Sequence, residues 1–211
     1  ATSVLLRGIP FIYQGQEIGM TNCRREDISE YDDISTKDQY REALNAGCTK
    51  EEALQCCYEN SRDNARTPMQ WSADANAGFS DSAPWLAVNP NYTEINVEEQ
   101  QKRPDSVLSF YKKLIALRKS PVYRETFTYG RFVPAYEEAD DIFAYRRVSE
   151  ENGQEILVAA NYGTKPRTLK LDREGARALL SNDGKEKSLQ IQIERERAVT
   201  LDSCEAAVLL L

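Results

Sequence analysis

Residues 8–20, with the sequence GIPFIYQGQEIGM, decide how the first half of the chain folds. Residues 11–13 form a short apolar run, and Gly15 follows it as a stop. Such a run between turn-forming residues is typical of a parallel strand that is buried on both faces. Residues 1–7 are predicted to end a helix, because a glycine and a proline follow them directly. The pattern predicts a helix followed by a strand, as in an α/β fold.

Downstream of that strand, helical segments flank a long stretch without regular periodicity. Thr49 and Glu52 form a predicted capping box that opens a helix. Residues 61–104 are rich in Asn, Asp, Ser, Pro and aromatic side chains. A stretch of about 40 residues of this kind is typically functional when it is ordered. Asp105 is then predicted to cap an amphipathic helix that ends before Pro121.

After Pro121 the hydrophobic period changes from that of a helix to that of a strand. Asn152 and Gly153 form a typical hairpin turn between two of the strands. The close spacing and the turn residues predict an antiparallel β-sandwich of about 90 residues. The predicted strands are 127–136, 142–148, 155–162, 167–171, 188–193 and 206–211.

Composition excludes several classes of site and partner. The 211 residues have a formal net charge of −7, which argues against nucleic-acid and anionic-membrane partners, since these need clustered cations. No apolar run approaches the roughly 18 residues of a membrane span. The chain has no histidine, which excludes a Ser-His-Asp triad and a histidine metal site within it. Five cysteines without a C-x-x-C spacing predict reduced thiols, no metal site and a cytoplasmic location.

Two motifs carry a resemblance to a known family. Residues 8–17 match the pattern Gly-x-Pro-x-x-Tyr-x-Gly-x-Glu, and this segment resembles the last barrel strand of the α-amylase superfamily, glycoside hydrolase family 13. Residues 62–71, RDNARTPMQW, are similar to the signature of one branch of that family. This branch holds oligo-1,6-glucosidases, α-glucosidases, trehalose-6-phosphate hydrolases and sucrose isomerases. Further matches follow in the same order between residues 76 and 115.

The resemblance implies the fold class and the domain division. Residues 1–119 are expected to form the C-terminal part of a (β/α)8 TIM barrel, with its last strand, its helices and a long loop. Residues 120–211 are expected to form an antiparallel β-sandwich domain. The family's three catalytic carboxylates lie on earlier barrel strands, one of them in an Asn-His-Asp motif that a chain without histidine lacks. Since glycoside hydrolysis needs two opposed carboxyl groups, this chain alone is expected to be inactive.

Four residues are predicted to bind the substrate. In the family an arginine of the signature grips the terminal glucose, a task that suits a planar guanidinium. Arg66 is the first candidate and Arg62 the second. The structural alternative for Arg66 is an ion pair with Asp63. Gln14 and Glu17 close the predicted strand, where side chains of such barrels face the active site, although Glu17 equally fits a buried structural carboxylate.

Other residues of the first half have a structural and a functional interpretation. Trp71, Phe79 and Trp85 are suited to stack on sugar rings, but Trp71 is predicted to lie in the core. The charged segment 24–33 is predicted to form a solvated face.

The function that the resemblance implies is that of a retaining, exo-acting α-glucosidase of the oligo-1,6-glucosidase type, of which this chain is the C-terminal portion. The expected substrate is a short α-glucoside, and neither a cofactor nor a metal is expected. Trehalose-6-phosphate hydrolysis and sucrose isomerisation are alternatives within the branch. Alternatives of other classes are a non-catalytic ancillary subunit of an amino-acid transporter and a β domain that binds carbohydrate or stabilises the protein. The expected protein partners are the missing N-terminal half of the barrel and a second copy that pairs through the exposed strand edge.

Overall fold

The computed structural model describes all 211 residues and divides them into two compact units. The sheet unit contains Ala1–Ile12 and Ser109–Leu211, and the loop unit contains Tyr13–Leu108. These bounds differ from the predicted domain division after residue 119. The reason is that the first residues and most of the helix before residue 120 pack with the sheet.

Seven strands and six α-helices make up the regular structure. The strands are Arg131–Ala135 (β1), Ile142–Val148 (β2), Glu155–Asn161 (β3), Arg167–Lys170 (β4), Arg177–Ser181 (β5), Ala198–Leu201 (β6) and Ala206–Leu210 (β7). The α-helices are Ile34–Asn45 (α1), Lys50–Asn60 (α2), Val97–Gln101 (α3), Val107–Lys119 (α4), Arg124–Thr128 (α5) and Glu186–Glu196 (α6). None of these helices has the length and apolar character that a membrane crossing requires.

The sheet unit is built on a five-stranded sheet with the order β1-β2-β3-β7-β5, and β4 pairs with β6 apart from it. All of these strand pairs are antiparallel, as the sequence predicts. Leu157 and Ala159 of β3 face one apolar core, and Ile156 and Val158 face a second. This alternation follows from the two-residue period of a strand. The β4–β6 pair and α6 complete the first core, and α4, α5 and residues 4–5 complete the second.

Strand predictions hold where alternation and turns agree. The predicted strand 142–148 is confirmed, and three others are confirmed to within one residue. The prediction for 188–193 is wrong, because this segment lies in α6. Leu189 and Ile193 are four residues apart and share the buried face of that helix, whereas Ile191 between them is 49% exposed. The prediction for 127–136 is wrong at its start, which belongs to α5, and β5 and β6 were not predicted.

The strand predicted at residues 11–13 does not form. Phe11 is 91% exposed and Tyr13 is 59% exposed, and no regular structure begins before Gln16. A parallel strand needs hydrogen-bonding neighbours and apolar cover on both faces. No strand of the two sheets pairs with this segment, and of its three residues only Ile12 packs against an apolar core. The self-association predicted through this strand edge stays a prediction, which requires the segment to become a strand first.

Two arginines, one buried and one half-buried, hold the N-terminal residues within the sheet unit. Arg147 is fully buried and donates hydrogen bonds to the carbonyl oxygens of Leu5 at 2.8 Å and Gly130 at 2.7 Å. Arg118 donates to the carbonyl oxygen of Val4 at 2.8 Å. Burial lowers the pKa of both guanidinium groups. Residues 1–8 form turns, not the predicted helix end, and these side chains fix their backbone.

Polar side chains organise the loop unit. The predicted capping box of α2 is confirmed, since Glu52 donates its N–H to the Thr49 hydroxyl at 3.2 Å and the Glu52 carboxylate accepts the Thr49 N–H at 2.8 Å. Asn89 donates to the carbonyl oxygens of Thr21 and Asn22, each at 3.1 Å. The irregular stretch is therefore ordered by side chains that bind backbone groups far away in sequence.

Candidate functional site

A short turn after α2 carries both candidate arginines. Residues Arg62–Ala65 form a 3-10 helix that Ser61 caps, because the Ser61 hydroxyl oxygen accepts the N–H of Asp63 at 3.1 Å. The Ser61 hydroxyl in turn donates to the hydroxyl oxygen of Thr36 at 2.9 Å, which connects the turn to α1. The local sequence thus places two arginines and one aspartate, residues 62, 66 and 63, on one turn.

Asp63 is a buried acceptor at the centre of this cluster. Its side chain is 1% exposed, and Oδ2 accepts the backbone N–H groups of Asp32 at 2.7 Å and Asp33 at 3.0 Å. Its other oxygen, Oδ1, lies 3.5 Å from Nη1 of Arg66. Asp63 therefore fixes the start of α1 and holds Arg66 at the same time.

Asp33 caps α1 and pairs with Arg62. Its Oδ2 accepts the N–H of Thr36 at 3.2 Å and the Thr36 hydroxyl at 2.7 Å. Its Oδ1 accepts hydrogen bonds from Nη2 of Arg62 and from Nε at 3.0 Å. The hydrogen bonds from Arg62 lower the pKa of the Asp33 carboxyl to about 2, although burial acts in the opposite direction. The carboxylate is consequently ionised at neutral pH.

Arg66 lies beside the buried carboxylates of Asp33 and Asp63, and its side chain remains partly exposed to solvent. Its Nη1 is 3.5 Å from Oδ1 of Asp63 and 3.9 Å from Oδ1 of Asp33, and its side chain is 39% exposed. The ion pair with Asp63, which was the structural alternative, is therefore present. One nitrogen makes these contacts, so the remaining N–H groups of the guanidinium can still bind an acceptor. Arg62 is more exposed, at 63%, but Asp33 binds both its Nε and its Nη2.

The two candidates of the segment 14–17 have different environments. The hydroxyl of the neighbouring Tyr13 donates to the carbonyl oxygen of Ala65 at 2.8 Å. Gln14 is exposed and, with Asn64, lines a cavity of about 330 Å³. Glu17 is half-buried, and one of its carboxylate oxygens has neither a hydrogen-bond partner nor contact with solvent. The structure therefore brings Gln14 to the turn, whereas Glu17 makes no hydrogen bond with either arginine.

One expectation for nearby residues is wrong, and a second holds only in part. Trp71 is 50% exposed and does not lie in the core. Hydrogen bonds to residues 77 and 98 hold its backbone in place, and its side chain extends toward solvent. The segment 24–33 is mostly exposed, as predicted for a solvated face, but Arg25, Tyr31 and Asp33 are each at most 5% exposed. Sequence reasoning therefore missed Asp33. Its place three residues before Thr36, at the start of a helix, is a typical N-cap signal that could have identified it.

Comparison with known proteins identifies the family. The family model "Alpha amylase, catalytic domain" matches residues 1–129. The chain belongs to the α-amylase family. Together with the antiparallel sheet, this membership confirms the predicted fold class, a C-terminal piece of the family barrel followed by an antiparallel β domain.

Relatives of this α-amylase family chain are glucosidases by name. The oligo-1,6-glucosidase of Halalkalibacterium halodurans is 45% identical over 157 residues, which are 74% of this chain and 27% of that protein. The glucan 1,6-alpha-glucosidase of Streptococcus pneumoniae is 41% identical over 191 residues, which are 90% of this chain and 34% of that protein.

Solved structures of the family share the fold. The crystal structure of Bacillus licheniformis trehalose-6-phosphate hydrolase superposes with a TM-score of 0.85 at 35% identity, and covers 98% of this chain and 36% of that one. The chain thus spans between 27% and 36% of the length of these relatives. The substrate-binding roles of Arg66, Arg62, Gln14 and Glu17 stay predictions.

Proposed function

We propose that this chain is the C-terminal portion of a retaining, exo-acting α-glucosidase that hydrolyses short α-glucosides. The observation that carries the proposal is the environment of Arg66, whose guanidinium lies beside two buried carboxylates while its side chain is still 39% exposed. A planar guanidinium held in this way can bind two oxygen atoms in one orientation, as recognition of a terminal sugar requires. The glucosidase names of the relatives support the reaction class.

The carboxylates beside Arg66 have a positioning role in this proposal. Asp33 and Asp63 are buried, and both bind backbone N–H groups. A retaining glycosidase needs one carboxyl group as acid and another as nucleophile, about 5 to 5.5 Å apart across the glycosidic bond. Asp33 and Asp63 are committed to the fold and cannot approach a substrate in this way. We infer that the acid and the nucleophile come from residues outside this chain.

A neutral substrate fits the surroundings of Gln14 better than a phosphorylated one. The cavity beside Gln14 is lined by amide and hydroxyl side chains such as Asn22, Asn60 and Thr67, with Glu59 as its one charged residue. A phosphate group binds where cations or several N–H groups converge, whereas sugar hydroxyls bind amides and hydroxyls equally well. Isomaltose-type glucosides are therefore favoured over trehalose 6-phosphate. A cytoplasmic location belongs to the proposal and is supported by five cysteines that are free of disulfides.

The test is an assay of a longer protein that contains this chain together with the barrel residues that its relatives have. Isomaltose, maltose, sucrose and trehalose 6-phosphate are offered at equal concentration, and the anomer of the released glucose is followed by NMR. We expect isomaltose to be hydrolysed fastest with retention of the α-configuration, and the 211 residues alone to give background rates. A folded long protein without turnover would contradict the proposal and favour an ancillary subunit. Turnover by the 211 residues alone, free of host enzymes, would contradict the assignment of the acid and the nucleophile.

A further inference from the structure

The sheet unit has a cavity of about 510 Å³ that the proposed hydrolysis does not use. It lies between residues 136–141, which connect β1 to β2, and strand β4. Its volume falls in the range of about 300 to 1,000 Å³ that is usual for small-molecule sites. All of its lining residues belong to the sheet unit.

Tyr136 at the edge of this cavity has an unusual backbone conformation. Its φ of 56° lies in the left-handed region, which is rare for a bulky residue. Its hydroxyl donates to the carbonyl oxygen of Lys170 at 2.7 Å, and part of its ring packs on the first apolar core. The ring is thereby fixed between the core and the cavity. Backbone strain of this kind persists only where the surroundings enforce it, and it concentrates at ligand sites.

Arg167 and Asp141 form a hydrogen-bonded ion pair in the wall of the cavity. Nε of Arg167 lies 3.0 Å from each carboxylate oxygen of Asp141, and Nη2 lies 2.6 Å from Oδ2. The pair fixes both side chains and cancels their charges. The guanidinium keeps further N–H donors, and the carboxylate keeps further lone pairs, for a ligand.

Three more charged side chains of the cavity lack partners within the chain. Those of Glu138, Asp140 and Lys170 make no hydrogen bond or ion pair there, and all three residues are exposed. Together with the pair of Asp141 and Arg167, the wall carries three acidic and two basic side chains. Donors and acceptors thus occur side by side with little net charge. This suits hydroxyl groups, which both donate and accept, and it offers no excess of cations to an anion.

We propose that this cavity is a carbohydrate-binding site, in which a neutral oligosaccharide lies against the ring of Tyr136 and its hydroxyl groups bind Asp140, Arg167 and Lys170. An aromatic ring next to fixed polar groups matches a sugar, which has apolar C–H faces and polar edges. The carbohydrate class follows from the lining of the cavity. That the sugar is an α-glucoside rests on the proposed function.

The experiment is an NMR titration of the isotope-labelled 211-residue chain with isomaltotriose and, separately, with the β-linked cellotriose. We expect isomaltotriose to cause saturable shift changes at the backbone amides of Tyr136, Thr168 and Lys170. The variant Tyr136→Asn removes the ring, asparagine accepts a left-handed backbone, and the amide spectrum of the variant reports whether the sheet unit stays folded without the core contact of the ring. Its Kd should rise by about tenfold or more, the size of a lost aromatic contact.

Tyr129→Asn is the matched control, because Tyr129 is 72% exposed in the same unit and does not line the cavity. The control should bind isomaltotriose with an unchanged Kd. Absence of shift changes with both sugars at millimolar concentration would overturn the proposal, as would equal weakening in the two variants. Shift changes in the cavity with cellotriose alone would support a carbohydrate site and contradict the α-glucoside part, which comes from the proposed function.

Discussion

The sheet unit and the loop unit are stabilised by different physical means. In the sheet unit, apolar residues alternate along β3 and fill cores on both faces of the sheet. In the loop unit, buried polar side chains such as Asp63, Gln70 and Asn89 are as common as buried apolar ones, and they bind backbone groups that are 20 or more residues away in sequence. Repeated patterns therefore specify the first unit, and single polar residues specify the second.

The largest effect should come from opening the apolar core of the sheet unit. Leu157 is fully buried, so Leu157→Ala loses both apolar contact and packing. We expect the free energy of unfolding to fall by about 3 kcal/mol, within the roughly 2 to 5 kcal/mol that such substitutions cost. Urea unfolding followed by far-ultraviolet circular dichroism measures this. Ile191→Ala, at a 49% exposed position of the same unit, is the control, and an equally large loss there would contradict the assignment of the core.

A polar substitution in the loop unit should cost somewhat less. Asp63→Ala leaves the backbone N–H groups of Asp32 and Asp33 without their acceptor and removes the nearer of the two carboxylates beside Arg66. Each buried group that loses its hydrogen bond lowers the free energy of unfolding by about 1 to 3 kcal/mol, and water that enters the site reduces the total. We therefore expect the free energy of unfolding to fall by about 2 to 3 kcal/mol. Tryptophan fluorescence reports this, because Trp71 and Trp85 both belong to the loop unit.

Asp81→Ala serves as the control for Asp63→Ala, since Asp81 is exposed in the same unit. It should leave the fluorescence transition unchanged. If Asp63→Ala also left it unchanged, the contrast between the two units would be wrong.

The smallest effect is a pH dependence of the loop unit. The pKa of Asp33 is about 2 in the folded protein, below the ordinary value of 3.8. The unfolded chain therefore binds this proton more readily than the folded protein does. The ionised Asp33 carboxylate contributes fully to the free energy of unfolding above about pH 4, and this contribution is lost as the pH falls toward 2. We expect the free energy of unfolding to fall by about 2 kcal/mol between these two pH values. Urea midpoints at pH 5 and pH 2.5 for the wild type and for Asp33→Asn test this. If the variant lost as much stability at pH 2.5 as the wild type, groups other than Asp33 would be responsible for the loss.

Periodicity and local caps made much of the fold predictable from the sequence. Strand β2 combines alternation with a hairpin turn, and Thr49 caps α2 through contacts that span three residues. The strand prediction for Ser188–Ile193 was wrong because the spacing of its apolar residues fits a strand and a helix equally well. In the structure this segment is helical and packs against β5 and β6. The burial of Asp33 depends on Arg62, which is 29 residues away, and such a partner is not visible in local sequence.

For the candidate site, residues 62–71 allowed the ion pair of Arg66 with Asp63 to be predicted as the structural alternative. The substrate-binding role of Arg66 stays a prediction. The sequence left open which of Arg62 and Arg66 faces the substrate pocket. In the structure Asp33 binds Nε and Nη2 of Arg62, and this contact spans 29 residues. The strand predicted at residues 11–13, which was expected to position Gln14, is absent. Gln14 lies near the turn of Arg62–Ala65 because the neighbouring Tyr13 donates a hydrogen bond to the carbonyl oxygen of Ala65.

The central claim is that Arg66 binds the substrate and does not merely brace the loop unit. Its most direct test measures kcat/KM for isomaltose and the melting temperature on one preparation of the longer protein, for Arg66→Ala and Arg66→Lys. A lost charge-assisted contact costs about 2 to 5 kcal/mol, so kcat/KM should fall by about 30-fold to several thousand-fold in Arg66→Ala. Arg66→Lys should recover little of this, because a point charge does not reproduce the planar fork. An unchanged kcat/KM together with a lowered melting temperature would contradict the claim and leave Arg66 as a structural residue.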